Sequence, residues 1–111
     1  MAEHYLCPLN ELADNGSRGF DLPEAGMSVF SVRRGEQVYL YRNLCPHIHI
    51  PLEWVEHEFL TADSCLIQCA NHGALFTIES GQCIAGPCNG QSLLAIEPVI
   101  RDGALYAVIN A

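Results

Sequence analysis

Two short Cys-His motifs constrain the fold of this chain more tightly than any other feature. Cys45-Pro46-His47 and Cys69-Ala70-Asn71-His72 each pair a thiol with an imidazole, and 21 residues separate His47 from Cys69. If one metal centre takes all four side chains, each motif forms a loop and the two loops face each other. Two Cys and two His satisfy a tetrahedral zinc, but zinc fingers usually space their ligands as Cys-x2-4-Cys and His-x3-5-His. The mixed spacing here suits a two-iron cluster better, with both cysteines on one iron and both histidines on the other. The bland alternative is a set of buried cysteines with incidental histidines.

The rest of the chain supplies a β frame for such loops. "SVFSVRRGEQVYLY" reads as two β-rich runs reversing near Arg34-Gly35, "ALFTIESGQCIAG" reverses at Ser80-Gly81, and "PVIRDGALYAVI" reverses at the hairpin pair Asp102-Gly103. Short strands at this spacing predict an all-β fold, an antiparallel sandwich or barrel. Helix signals are thin, one turn over 9–13 and another over 52–59 after Pro51. The segment 47–64 reads as a long excursion out of the sheet, and long loops in compact domains usually carry function.

Composition narrows the partners. Thirteen acids face five bases, and the formal net charge of -8 leaves no basic patch for nucleic acid or an anionic membrane. With 16% charged residues and half its residues apolar, the chain folds rather than stays disordered. The opening "MAEHYLCPLNEL" lacks a basic start followed by an apolar run, so the expected location is cytoplasmic. In that compartment the six cysteines are expected as thiols or metal ligands rather than disulfides.

Taken with their surroundings, the motifs resemble those of Rieske 2Fe-2S proteins, in which two His replace two Cys on one iron. "CPHIHIPL" is similar to the family's first cluster loop and "CANHGALFTIESG" to its second. "GPC" at Gly86-Pro87-Cys88 sits where the family has a proline-containing loop over the cluster, and "LLAIEPVIRDGALYAVI" reads like the closing strands of its base. The resemblance implies that Cys45 and Cys69 ligate a buried iron and His47 and His72 the iron nearer solvent. It implies one domain over residues 1–111: an antiparallel β base with a small cluster-binding subdomain at about 44–88.

Charge bookkeeping shows what the mixed ligand set does. Two ferric ions, two sulfides and two thiolates sum formally to zero, so an electron is added more easily than to an all-cysteine cluster. Each imidazole keeps a second ring nitrogen able to titrate with reduction. Against the high-potential members of the family, Ile50 and Ala70 stand where a pair of disulfide cysteines would be. Ala74 and Phe76 stand in place of a Ser and a Tyr that donate hydrogen bonds to sulfur. These absences predict a potential at the low end of the Rieske range, toward about -150 mV.

Other residues carry weaker expectations. His49 departs from the family, which often has Gly there, and reads as a surface or tuning residue because four ligands already complete the set. His4 and His57 are expected in solvent, and Cys7 and Cys65 as small buried hydrophobes. Cys83 and Cys88 are expected as reduced thiols. Glu53, Glu56, Glu58 and Asp63 lie between the motifs with no arginine among them, either as a solvated face or as a ring steering a basic partner.

The resulting functional expectation is a non-enzymatic electron carrier, a Rieske-type ferredoxin passing electrons from a flavin-dependent reductase to a terminal oxygenase. No nucleotide-binding glycine motif and no mononuclear iron triad suggest a substrate site of its own. The alternatives are the small subunit of a cytoplasmic NAD(P)H-dependent nitrite reductase, partnered with its large subunit, and a zinc-stabilised interaction module.

Overall fold

A computed structural model describes residues 2–46, 50–53, 55–70, 73–87 and 90–109. Nine strands form two antiparallel sheets among them: β1 Ala2–Pro8, β2 Gly16–Leu22, β3 Met27–Arg34, β4 Gln37–Arg42, β5 Leu66–Gln68, β6 Leu75–Thr77, β7 Cys83–Ala85, β8 Ala95–Arg101 and β9 Ala104–Ile109. The larger sheet runs β1-β9-β8-β4-β3-β2 and the smaller β5-β6-β7. All three reversals read from the sequence fall between paired strands. At the last, Asp102 (φ 52°) and Gly103 (φ 76°) are both left-handed, the two-residue turn that matches strand twist.

Central strands β3 and β4 set the position of everything else. Val29, Phe30, Ser31 and Val32 on β3 are all at most 1% exposed, so this strand is covered on both faces. Val29, with Val38 and Leu40 of β4, faces an apolar cluster built from β1, β2, β8 and β9; Phe30, Val32 and Tyr41 face a second, which contains Cys45, Cys69 and the small sheet. The period-2 alternation of strands therefore sorts one face to the base and the other to the ligand loops.

Tyr41 fastens the two parts. Its ring is 2% exposed and its hydroxyl donates to the Ile78 carbonyl at 2.6 Å, across the β6–β7 connection. Gly81 (φ 70°) lies so close that a Cβ there would meet Tyr41 Cε1 at 2.7 Å, so this turn accepts only glycine. Burial pushes the phenol up to about 12. Because the folded pKa exceeds the unfolded value of about 10, its contribution is complete below pH 10 and is lost as pH rises toward 12, up to about 3 kcal/mol. Tyr41→Phe is expected to abolish that alkaline loss and, by stranding the Ile78 carbonyl, to lower neutral-pH stability by about 1–3 kcal/mol. Denaturant titrations of both proteins at neutral and alkaline pH check this.

Three readings change in the structure. β1 and β2 were not anticipated from the sequence. A single turn of 3-10 helix at Leu9–Glu11 answers the first helix signal, but the described residues of 52–59 form bends, turns and irregular chain instead. One cause is tertiary: Phe59 N–H, which a helix would pair with the Val55 carbonyl, donates instead to Ser17 Oγ of β2 at 3.1 Å, while Leu52 N–H is taken by the Asn43 side chain at 2.9 Å. Between β4 and β5 the chain does leave the sheets, returning through the single Leu60–Ile67 bridge.

Candidate metal centre

Two loops of matching closure carry the two motif cysteines. Cys45 N–H donates to the Ile50 carbonyl at 2.7 Å and Cys69 N–H to the Ala74 carbonyl at 2.9 Å, each bond reaching five residues ahead. Both loops leave a strand end, β4 for the first and β5 for the second. They are tied to each other where Ala70 N–H donates to the Leu52 carbonyl at 2.8 Å. Gly86 (φ 96°) then packs its backbone on the second loop, where a Cβ would meet Ala74 Cα at 2.8 Å. Gly86 thus lies against Ala74 of the second loop.

Burial and donor chemistry fit a metal group. Cys45 is 1% and Cys69 0% exposed, and both belong to the cluster that holds Leu52, Phe59, Ile67, Ala74 and Phe76. Thiolates sealed among hydrocarbon are costly unless a cation balances them, and ferric ion does so. Ala74 and Phe76 are fully buried and apolar, so neither supplies a hydroxyl to a sulfur nearby. Ile50, in the first loop, is exposed.

His47 and His72 lie outside the described residues, as do His49 and Cys88; of the expected ligand set the structure describes the two cysteines, both in one apolar cluster. Cys7 is buried as expected, but Cys65 is exposed and precedes β5, its thiol donating to the Asp63 carbonyl at 3.6 Å. Cys83 is buried in the same cluster as Cys45 and Cys69, and its thiol donates to the Ala85 carbonyl at 3.2 Å.

Neither remaining histidine is simply solvated. His4 has a side chain only 16% exposed, 3.9 Å from Glu24. His57 (φ 68°) is a strap across β2, the edge strand of the large sheet. Its carbonyl accepts from Ser17 Oγ at 2.7 Å and its Nδ1 from Gly19 N–H at 3.0 Å. With Nδ1 accepting, the ring proton belongs on Nε2, which faces Glu56 at 3.1 Å. The strap pins the excursion and covers a strand edge that would otherwise be open.

The four acids between the motifs also divide. Glu53 is half-buried and accepts both oxygens' worth of hydrogen bonds from Asn43 Nδ2, at 2.9 and 3.1 Å. Asp63 closes a turn, accepting from Thr61 Oγ1 at 2.5 Å and Cys65 N–H at 3.0 Å, and these bonds hold its carboxyl below the usual range. Glu56 and Glu58 stay exposed. Asn43 was not singled out in the sequence; an asparagine two residues before a cysteine carries no signal until the fold brings Leu52 and Glu53 to it.

Comparison with known proteins follows this geometry closely. The family model for the Rieske [2Fe-2S] domain matches residues 2–108. The fold is similar to the ferredoxin of carbazole 1,9a-dioxygenase from Nocardioides aromaticivorans IC177, with a TM-score of 0.80, 25% identity, and 99% of this chain and 100% of that chain covered. It is also similar in fold to a chain in a complex of reduced oxygenase and oxidised ferredoxin of carbazole 1,9a-dioxygenase, with a TM-score of 0.76, 20% identity, and 95% and 91% coverage. The terminal oxygenase of the Nocardioides aromaticivorans IC177 enzyme matches with a TM-score of 0.79 and 18% identity, covering 98% of this chain but 30% of that one. No curated protein sequence matches. With nearly all of its length matched, the chain belongs to the Rieske [2Fe-2S] domain family, and its cofactor is a 2Fe-2S cluster of that type.

Proposed function

We propose that this protein is a one-electron carrier, a Rieske ferredoxin that takes electrons from a flavin-dependent reductase and delivers them to a terminal oxygenase. The observation that carries this reading is the end-to-end match to a free-standing ferredoxin, set against coverage of only 30% of an oxygenase chain. In it, Cys45 and Cys69 hold one iron and His47 and His72 the other, within a cluster-binding subdomain at about 44–88. When bound, the cluster supplies a one-electron couple. The protein's own residues seal the thiolate side from water, leave the sulfurs without hydroxyl donors at Ala74 and Phe76, and expose acids in the excursion between the two motifs.

The arginines add to that last point. Arg33 donates to the carbonyls of Leu9 and Leu12, Arg18 pairs with Glu11, and Arg101 pairs with Glu3, so three of the five bases serve the base sheet. Glu56 faces the His57 ring at 3.1 Å, and Glu58 is left to meet a basic partner. Voltammetry is expected to place the midpoint toward about -150 mV. Stopped-flow mixing of reduced protein with a terminal oxygenase is expected to show oxidation that slows as salt rises. A midpoint above zero sinks the low-potential reading, and a reduced protein that no oxygenase reoxidises sinks the carrier reading.

A further inference from the structure

We propose that Asn43 is a positioning residue for the cluster, with Glu53 as the group that orients it. The inference rests on the reading of Cys45 and Cys69 as ligands and goes beyond it. Asn43 lies two residues before Cys45 and is 9% exposed. Its backbone N–H donates to the Ser28 carbonyl of β3 at 2.8 Å, which fixes it to the base. Its Oδ1 accepts from Leu52 N–H at 2.9 Å, and Leu52, fully buried, passes the constraint on through its carbonyl to Ala70 N–H at 2.8 Å. Ala70 follows Cys69 directly. A continuous path of hydrogen bonds therefore starts at the large sheet, runs past the first ligand loop and ends at the second.

The path depends on a carboxamide. Position 43 must offer an acceptor to Leu52 and a donor to Glu53 at once, which Asn does and neither Asp nor Leu does. Glu53 accepts only, at 2.9 and 3.1 Å from Nδ2, so it forbids the flipped amide that would turn a donor toward Leu52 N–H. This side chain closes the base of the first loop at Leu52, and the second loop is tied to the same residue through the Leu52 carbonyl. Groups that orient ligands in this way are commonly worth about 10-fold to 100-fold in metal retention.

The donor and acceptor roles are exchangeable, which supplies a test that loss of packing alone would not mimic. Asn43→Asp sets two carboxylates against each other. Asn43→Asp combined with Glu53→Gln restores the set with the direction of one bond reversed and the net charge kept. In holoprotein challenged with an iron chelator, Asn43→Asp is expected to lose its visible absorbance about tenfold faster than the parent or more. The double variant is expected to recover most of that loss, along with the parent's reduced-state paramagnetic spectrum. Glu53→Gln alone keeps an oxygen for Nδ2 but admits the flipped amide, and is expected to fall between the parent and Asn43→Asp.

Recovery of a holoprotein from the double variant where Asn43→Asp yields none is the same rescue in its strongest form. Asn43→Asp as resistant to the chelator as the parent, or a double variant no better than the single, overturns the proposal. Either result leaves the ligand reading intact so long as the parent carries its cluster; retention of a normal cluster in Cys45→Ala overturns that reading separately.

Discussion

Cys69→Ala is expected to abolish the cluster outright, leaving a colourless protein with no paramagnetic signal on reduction, while the apo fold survives. Cys69 is fully buried, so the substitution removes one sulfur from a packed layer and replaces it with a methyl. That change costs stability on the scale of a small cavity, about 1 kcal/mol. Its effect on the metal is of another order, because in the proposed ligand set one of two thiolates is gone. Cys83→Ala is the matched control: Cys83 is 2% exposed in the same apolar cluster, yet its thiol already bonds the Ala85 carbonyl at 3.2 Å. Iron and sulfide analysis of both variants decides the matter. Equal cluster content in Cys69→Ala and Cys83→Ala would remove Cys69 from the ligand set.

The contrast between those two cysteines shows what was legible in the sequence and what was not. Cys69 announces itself through its spacing to His72 and through the neighbouring Gly, whereas Cys83 stands near Cys88 but has no histidine at motif spacing. The hairpins were legible for a similar reason, since Asp102-Gly103 and Ser80-Gly81 are local chemistry that any two strands use. β2 was not: "GSRGFDL" contains two glycines and no clean alternation, and it is held as a strand by seven consecutive partners on β3. Propensity yields to pairing at such a strand. The failed helix over 52–59 has the same origin, because the Phe59 N–H that would close its last turn is claimed by Ser17 of β2.

At the site, the acids are the instructive case. Composition places four carboxylates between the motifs but cannot say which are already spent. Glu53 and Asp63 turn out to be internal acceptors and Glu56 faces the His57 ring at 3.1 Å, which leaves Glu58 for a partner. A steering surface drawn from the sequence alone would be too large. Likewise a histidine seen as a surface residue, His57, accepts a backbone N–H that no sequence pattern could assign to it.

The second large effect is expected at Phe59, where the excursion is plugged into both sheets. The ring is 1% exposed and stacks on Phe30 with centroids 4.3 Å apart and planes 5° from parallel. Phe30 in turn meets Tyr41 at 5.8 Å, so a ladder of three rings runs from the excursion into β3 and β4. Gly19 of β2 leaves room for it: a Cβ there would stand 3.2 Å from Phe59 Cζ. On the other side the Phe59 carbonyl accepts Gln68 N–H at 2.9 Å, which fixes the strand leading to Cys69. Phe59→Ala is expected to cost about 3–5 kcal/mol, a large fraction of the stability of about 5–15 kcal/mol that a domain has. Val55→Ala, at a residue 58% exposed in the same excursion, is expected to stay within about 0.5 kcal/mol of the parent. Urea titrations that follow backbone circular dichroism and cluster absorbance together make the measurement. Because the ring supports the segment that delivers Cys69, cluster loss in Phe59→Ala should precede or accompany unfolding; a loss of less than about 1 kcal/mol would mean that the cavity collapses and that the ladder is not what holds the excursion.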